Sequence, residues 1–162
     1  RATPRRILDI GTGSGVLAIA AARRWRRPVL ASDIDAQAVT AARENARHNH
    51  AARFVETIHA CGLNARRFRE RALFDLIFAN ILLAPLQRLA YPAARLIAPG
   101  GYLILSGLLP AHAAAALSAY DAQGLKLERR IDLEGWVTLI LRRGPHRVAP
   151  KRQRPGRFRP GR

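Results

Sequence analysis

The chain contains no methionine, not even at position 1, only one cysteine, Cys61, and only two lysines, Lys126 and Lys151. The missing methionine sets the expectation that the sequence is a fragment or lacks its natural N-terminus. A single cysteine excludes an internal disulfide. Together with the absence of a signal-like opening, it points to a reducing, cytoplasmic setting. No His-Asn/Asp partner pattern accompanies Cys61, so it reads as a buried or incidental thiol rather than a nucleophile. The five histidines show no metal-ligand spacing, and no metal is expected. No stretch approaches the roughly 20 apolar residues that a membrane-spanning helix needs, so no membrane partner is expected.

Acids are scarce as well. Against 28 Lys and Arg stand 11 Asp and Glu, for a net charge of +17. The excess is uneven: Arg142 to Arg162 holds nine basic residues and no acid, which leaves +8 for the rest. Such a balance favours RNA or a ribosomal setting through phosphate contacts. The plainer reading is a solvated surface in an arginine-rich proteome. Prolines and glycines punctuate 144–162, which is almost without apolar residues, so this tail is expected to be disordered. Residues 1–143 are then one domain, and at 49% hydrophobic the chain can build a proper core.

What the sequence does have is Asp9-Ile10-Gly11-Thr12-Gly13-Ser14-Gly15, between the apolar pair Ile7-Leu8 and the helical-looking run from Val16 to Ala22. This is a strand, a glycine turn and a helix start, which suits a nucleotide-like ligand. The dinucleotide fingerprint G-x-G-x-x-G fails, because its third glycine position is Val16. Asp9 would also oppose an anionic pyrophosphate. S-adenosylmethionine (SAM) carries a sulfonium and an ammonium instead, and an acid there is favourable by Coulomb attraction. The turn residues Asp9, Gly11, Thr12, Gly13 and Gly15 are therefore candidate cofactor-binding residues. An NAD-dependent oxidoreductase is disfavoured.

The rest of the chain alternates strands and helices. Strands are expected at 6–10, 29–32, 54–58, 74–79 and 102–106. Helices are expected at 15–26, with Leu17, Ala20 and Ala21 on one face, and at 36–48, with Val39, Ala42 and Ala46 inward and Asp35 as N-cap. Further helices are expected at 85–97, broken by Pro99-Gly100-Gly101, and at 111–122. His59 to Arg71 reads as an irregular, solvated arginine loop. A final hairpin, 125–131 and 136–141, turns at Glu134-Gly135, with Trp136 in its core. The pattern implies an α/β domain with a seven-stranded, mostly parallel sheet and a C-terminal antiparallel hairpin. In such sheets the ligand lies beyond the carboxyl ends of the strands. Asp33 then falls where an acid accepts both ribose hydroxyls of an adenosine cofactor. Asn80, ending the fourth strand, is a candidate catalytic and cofactor-site residue, whose carbonyl oxygen can hold a substrate amine. Its plainer role is a helix cap.

These residues, with Asp33-Ile34-Asp35, Ala42 to Ala46, Asn80-Ile81-Leu82, Pro99-Gly100-Gly101, Ser106-Gly107-Leu108-Leu109 and Glu134-Gly135-Trp136-Val137, resemble the ribosomal protein L11 methyltransferase family over residues 6–143. The resemblance implies a Rossmann-like class I methyltransferase domain. It implies SAM-dependent methylation of amino groups, lysine ε-amines and an N-terminal α-amine, on a large-subunit ribosomal protein, by a monomer. It carries cofactor roles onto Gly11, Asp33 and Asn80. The family also has an N-terminal recognition domain and a Thr-containing linker, neither of which falls within residues 1–162. Where many class I enzymes place an acid for the adenine amine, this chain reads Ala60-Cys61-Gly62-Leu63-Asn64, so a backbone group or Asn64 would have to serve. The basic tail suggests contact with ribosomal RNA. An RNA or other protein-amine methyltransferase, or a SAM-binding module without catalysis, are the alternatives.

Overall fold

A computed structural model describes residues 3–145, so the expected tail lies outside the described residues from position 146 on. The elements are β1 (Ile7–Ile10), α1 (Val16–Trp25), β2 (Val29–Asp33), α2 (Ala36–His48), β3 (Val55–His59), α3 (Arg66–Arg71), β4 (Phe74–Asn80), α4 (Leu83–Arg88), α5 (Ala90–Leu96), β5 (Ile97–Leu108), α6 (Pro110–Asp121), β6 (Leu125–Leu133) and β7 (Trp136–Arg143). Seven strands form one sheet in the order β3-β2-β1-β4-β5-β7-β6. The first five run parallel, and β7 pairs antiparallel with both β5 and β6. The strand order reverses direction between β1 and β4, which is where an open α/β sheet places its ligand crevice.

Successive side chains of a strand point to opposite faces, so the central strands feed two cores. Ile7, Val29, Ala31 and Leu76 pack with the alanines of α1 and with Ala46 of α2. Leu8, Ile10, Leu30, Ile77 and Ala79 pack with α4, α5, α6 and β7. Strands buried on both faces read as continuous apolar runs, and β1 is buried at every position. Tyr120 ties α6 to α4: its hydroxyl donates to the Leu86 carbonyl at 2.9 Å, and burial pushes its pKa above the usual phenol range.

Several sequence expectations shift. The buried face of α1 is Ala18, Ile19, Ala21 and Ala22, not one that includes Leu17 and Ala20. The segment is apolar all round, so hydrophobicity alone leaves the helix phase open, and the small residues let α1 lie close to the sheet. The helix expected at 85–97 is two, broken at Leu89. Pro92 has no N–H to continue α4 and sits in the first turn of α5, where none is needed. Ile97 begins β5, which runs on through Pro99-Gly100-Gly101 with an irregularity in its register against β4. The predicted breaker is thus a distortion inside a strand.

The arginine loop contains the short helix α3, with Phe68 fully buried, Arg66, Arg67 and Arg71 paired to acids, and Arg69 bonded to the Asn64 carbonyl. Trp136 is 54% exposed; the inward side chains of β7 are Val137, Leu139 and Leu141. The hairpin turn itself falls as expected, with Glu134 at φ 48° and Gly135 at φ 80°, the positive pair a tight antiparallel turn prefers. Cys61 is exposed, not buried. Among the described residues no helix is long and apolar enough to cross a membrane, and no group of three or more His, Cys, Asp or Glu could hold a metal ion.

Candidate functional site

The carboxyl ends of β2, β1, β4 and β5 lie side by side, with Ile10 level with Ser32 and Ala79, and Asn80 level with Ser106. Each end delivers one of the residues singled out in the sequence. The turn after β1 is held from below by Ser32, whose carbonyl accepts from the N–H groups of Gly11 at 2.8 Å and Thr12 at 3.0 Å. Sequence spacing gave no sign of this role for Ser32. Gly11, Gly13 and Gly15 all have positive φ, and each has a different reason to be glycine. A Cβ on Gly11 would run into Ile81, and one on Gly15 would press on Ala42 of α2 at 3.2 Å. A Cβ on Gly13 would meet nothing within 4 Å. Gly13 therefore borders open space. Asn45 of α2 adds a further brace, its Nδ2 donating to the Ser14 carbonyl at 2.8 Å.

Asp9 is 1% exposed. Its Oδ2 accepts from the Thr12 hydroxyl at 2.6 Å and the Ala18 N–H at 3.2 Å, while its Oδ1 is buried without a partner. Burial pushes its pKa up to about 6, against the lowering effect of those hydrogen bonds and helped by the nearby Asp33 charge. A raised carboxyl pKa means that the protonated form is the one the fold favours. The stability it contributes is complete below pH 3.8 and is lost as pH rises to about 6. Each pKa unit is worth about 1.4 kcal/mol, so the whole loss is about 3 kcal/mol. Urea unfolding of the wild type and of Asp9→Asn at several pH values checks this. The stability of the wild type relative to the variant is expected to fall between pH 4 and 6 and to stay level above 7. A pH-independent difference would reject the buried, strained carboxyl.

Asp33 ends β2 and faces the glycine turn. Its Oδ2 accepts from the Gly13 N–H at 2.8 Å, and its Oδ1 from the Asp35 N–H at 3.0 Å. Each oxygen keeps a free lone-pair position, since an ionised carboxylate offers about four. The helix-capping alternative falls to Asp35, whose Oδ1 accepts from the Gln37 N–H at 2.8 Å.

Asn80 is exposed at the end of β4, and its side-chain amide has no hydrogen-bond partner among the described residues. It does not cap the next helix, whose N-cap is Leu82 without a side-chain bond. Its Oδ1 occupies the space that a Cβ on Gly107 would fill, so glycine at 107 is what admits the amide. After β3, Gly62 has φ 72°, Leu63 is buried, and the Asn64 carbonyl accepts from Arg69 at 2.8 Å. Around these polar groups stand exposed aliphatic side chains: Val16, Ile34, Leu82 and Leu109.

The chemistry of this donor and acceptor set fits a cationic adenosine cofactor. There is open space at Gly13, an anionic acceptor at Asp33 with lone pairs to spare, and an unpartnered buried oxygen on Asp9. An anionic pyrophosphate would meet the Asp33 carboxylate instead, with Asp9 buried behind it.

Known proteins agree in fold and in sequence. The family model described as ribosomal protein L11 methyltransferase (PrmA) matches residues 1–144. A ribosomal protein L11 methyltransferase of Rhodopseudomonas palustris is 51% identical over 138 residues, covering 85% of this chain and 47% of the relative. One from Bradyrhizobium diazoefficiens is 51% identical over 140 residues, covering 86% of this chain and 48% of the relative. The chain thus spans about half the length of the curated relatives it matches. The crystal structure of a ribosomal protein L11 methylase from Lactobacillus delbrueckii subsp. bulgaricus superposes with a TM-score of 0.79 at 30% identity, covering 87% of this chain and 71% of that one. With its glycine turn, its seven-stranded sheet and this match over nearly all of its described residues, the chain belongs to the ribosomal protein L11 methyltransferase family.

Proposed function

We propose that residues 1–143 form the catalytic domain of a SAM-dependent N-methyltransferase acting on amino groups, lysine ε-amines and an N-terminal α-amine, of the large-subunit ribosomal protein L11. The observation that carries this reading is the unpartnered Asn80 amide, seated against Gly107 one strand away from the glycine turn. Asp33 would hold the ribose hydroxyls and the turn from Gly11 to Gly15 the body of the cofactor, while Asp9, buried beneath the turn, would act on the cationic methionine end through its charge and not by contact. Bound there, SAM supplies a methyl group on a sulfonium sulfur that departs as a neutral thioether, so no acid is needed. The protein's work is alignment: Asn80 Oδ1 accepts a hydrogen bond from the amine and fixes the direction of its lone pair. A lysine with a pKa near 10.4 must first lose a proton, to water or a nearby acceptor.

The rim supports an amine on a flexible aliphatic stem. Leu82 and Leu109 are the N-caps of α4 and α6, which lie side by side through the Gln87 bond to the Ala115 carbonyl. Both are exposed, and aliphatic contacts suit a lysine stem. A nucleobase would call for an aromatic stacking surface instead, and the exposed Trp136 sits on the hairpin turn. A cytosolic setting accords with the ribosomal substrate.

Incubation with tritiated SAM tests the reading. Label is expected in purified protein L11 and is expected to vanish when its amines are acetylated beforehand. Label in ribosomal RNA, or in the acetylated protein, would move the assignment to the alternative substrates. SAM binding without label in any fraction would leave only a binding module.

A further inference from the structure

The opposite end of the sheet carries a second feature, which methyl transfer does not use. At the N-terminal ends of β1, β2 and β3 lies a cavity of about 430 Å³. Its floor is apolar, with Val29 and Val55, and Arg5, Arg6, Arg53 and Arg71 stand around it. Glu56 and Glu70 also line it, but both are already engaged. Glu56 is paired with Arg67 and Arg71, which holds its carboxyl below the usual range, and Glu70 is paired with Arg66 and Arg67. That leaves three arginines on two carboxylates.

The Arg5 backbone N–H donates to Asp75 Oδ2 at 2.8 Å, but neither the Arg5 nor the Arg53 guanidinium has a carboxylate partner among the described residues. The guanidinium of Arg53 lies 4.5 Å from the centroid of the half-exposed Phe54 ring. Pro28, at the cavity edge, is preceded by Arg26 and Arg27, both exposed and both without an acid partner among the described residues. Arg26 is fixed by its position as the left-handed cap of α1, with φ 53° and its N–H bonded to the Ala22 carbonyl. Two guanidinium groups without an acid, those of Arg5 and Arg53, therefore line the recess, and Arg26 and Arg27 lead into its edge at Pro28.

We propose that this arginine-rimmed recess is a docking surface for an RNA phosphodiester backbone, separate from the methyl-transfer site. Guanidinium groups bind phosphate oxygens through paired N–H donors, and several at fixed spacing suit a polymer with a phosphate at every residue. Stacked on the Phe54 ring, the Arg53 guanidinium offers a plane for an unstacked base, which single-stranded RNA regions present. The recess is concave, and among the described residues its rim carries no large exposed apolar side chain of the kind that inserts into a lipid surface. The strands between the two ends are four and five residues long, so the sites are about 15 Å apart and can be filled together. This inference stands on its own charges and goes beyond the assignment of the methyl-transfer site.

The test uses the full chain and the variant Arg5→Gln/Arg26→Gln/Arg27→Gln/Arg53→Gln, titrated into a fluorescein-labelled RNA hairpin over a series of salt concentrations. The variant is expected to bind at least ~10-fold more weakly, with a slope of log affinity against log salt shallower by about two to four, since each lost phosphate contact removes about 0.9 for duplex or 0.7 for single strand. SAM affinity measured on the same variant is expected to be unchanged. That readout reports an intact fold, and it keeps this proposal's failure distinct from a failure of the assigned activity. RNA affinity and slope equal to wild type would overturn the proposal and hand RNA binding to the tail. Binding to phosphatidylserine vesicles that the variant loses, while its RNA binding persists, would overturn it in favour of a membrane.

Discussion

Gly13→Arg is expected to weaken SAM binding by an order of magnitude or more while leaving the fold in place. The two halves of that statement come from different features of one residue. A Cβ at Gly13 would meet no atom within 4 Å, so the added side chain has somewhere to go. The backbone at φ 53° strains any L residue, at a cost of about 1–2 kcal/mol, which a domain can bear. The space the arginine would enter is the space proposed for the cofactor. Its nearest acid is Asp33, which already accepts from the Gly13 N–H, so the new guanidinium would compete for the lone pairs the ribose needs. It would also set a cation beside a cationic ligand. Asp33→Ala is expected to give a similar loss by removing the acceptor itself, and with it the bond that holds the turn at Gly13.

Gly11→Ala is the contrast. There the Cβ would collide with Ile81, which packs on the main core, so the expected loss is about 1–3 kcal/mol of stability, well before any effect on the ligand. Calorimetric SAM titrations and thermal melts of the three variants separate these outcomes. Wild-type SAM affinity in both Gly13→Arg and Asp33→Ala would remove the site assignment.

That contrast shows what the sequence could and could not tell. The spacing of three glycines after a short apolar strand is enough to place a turn against a ligand, because few other residues adopt positive φ. It does not say which glycine faces the ligand. Gly11 and Gly15 are glycine for packing, against Ile81 and Ala42, and those neighbours come from elsewhere in the chain. The strand ends were legible because buried parallel strands read as apolar runs with a polar residue at the exit, as in Asp33 and Asn80. The phase of α1 was not, because the run from Val16 to Ala22 is apolar throughout and has no polar residue to mark its outside. Pro92 was a visible signal for the break between α4 and α5, obscured by the apolar periodicity on either side of it. Arg66, Arg69 and Arg71 are exposed, as a solvated segment implies, but the pairing of Arg67 and Arg71 with Glu56 was hidden because that acid is 11 and 15 positions away, on β3. Ser32 and Asn45 brace the turn through backbone carbonyls, and no pattern of residue types announces a bond of that kind.

Asn80 divides binding from chemistry, and its substitution is where the largest effect on rate is expected. Asn80→Ala should lower the single-turnover rate of methyl transfer by about 100-fold, which corresponds to about 3 kcal/mol of barrier. SAM affinity should change far less. The reasoning rests on what the amide does in the protein alone. It makes no bond to the described residues and does not cap α4, so its removal leaves no protein group unpaired and costs the fold little. What is lost is an acceptor fixed at one position, and a misaimed amine loses rate steeply because the displacement needs its lone pair in line.

Gly107 supplies an independent handle on the same point. Gly107→Ala keeps the amide but puts a methyl group where its Oδ1 now sits, so the oxygen must move. If position is what matters, this variant should also slow the chemical step, with SAM affinity again little changed, although residue 107 would touch neither cofactor nor amine. An unaltered single-turnover rate in Asn80→Ala would end its orienting role. A large loss in Asn80→Ala with none in Gly107→Ala would mean that the amide acts without being held in place, and would shift the alignment to Leu82, Leu109 and the rest of the rim.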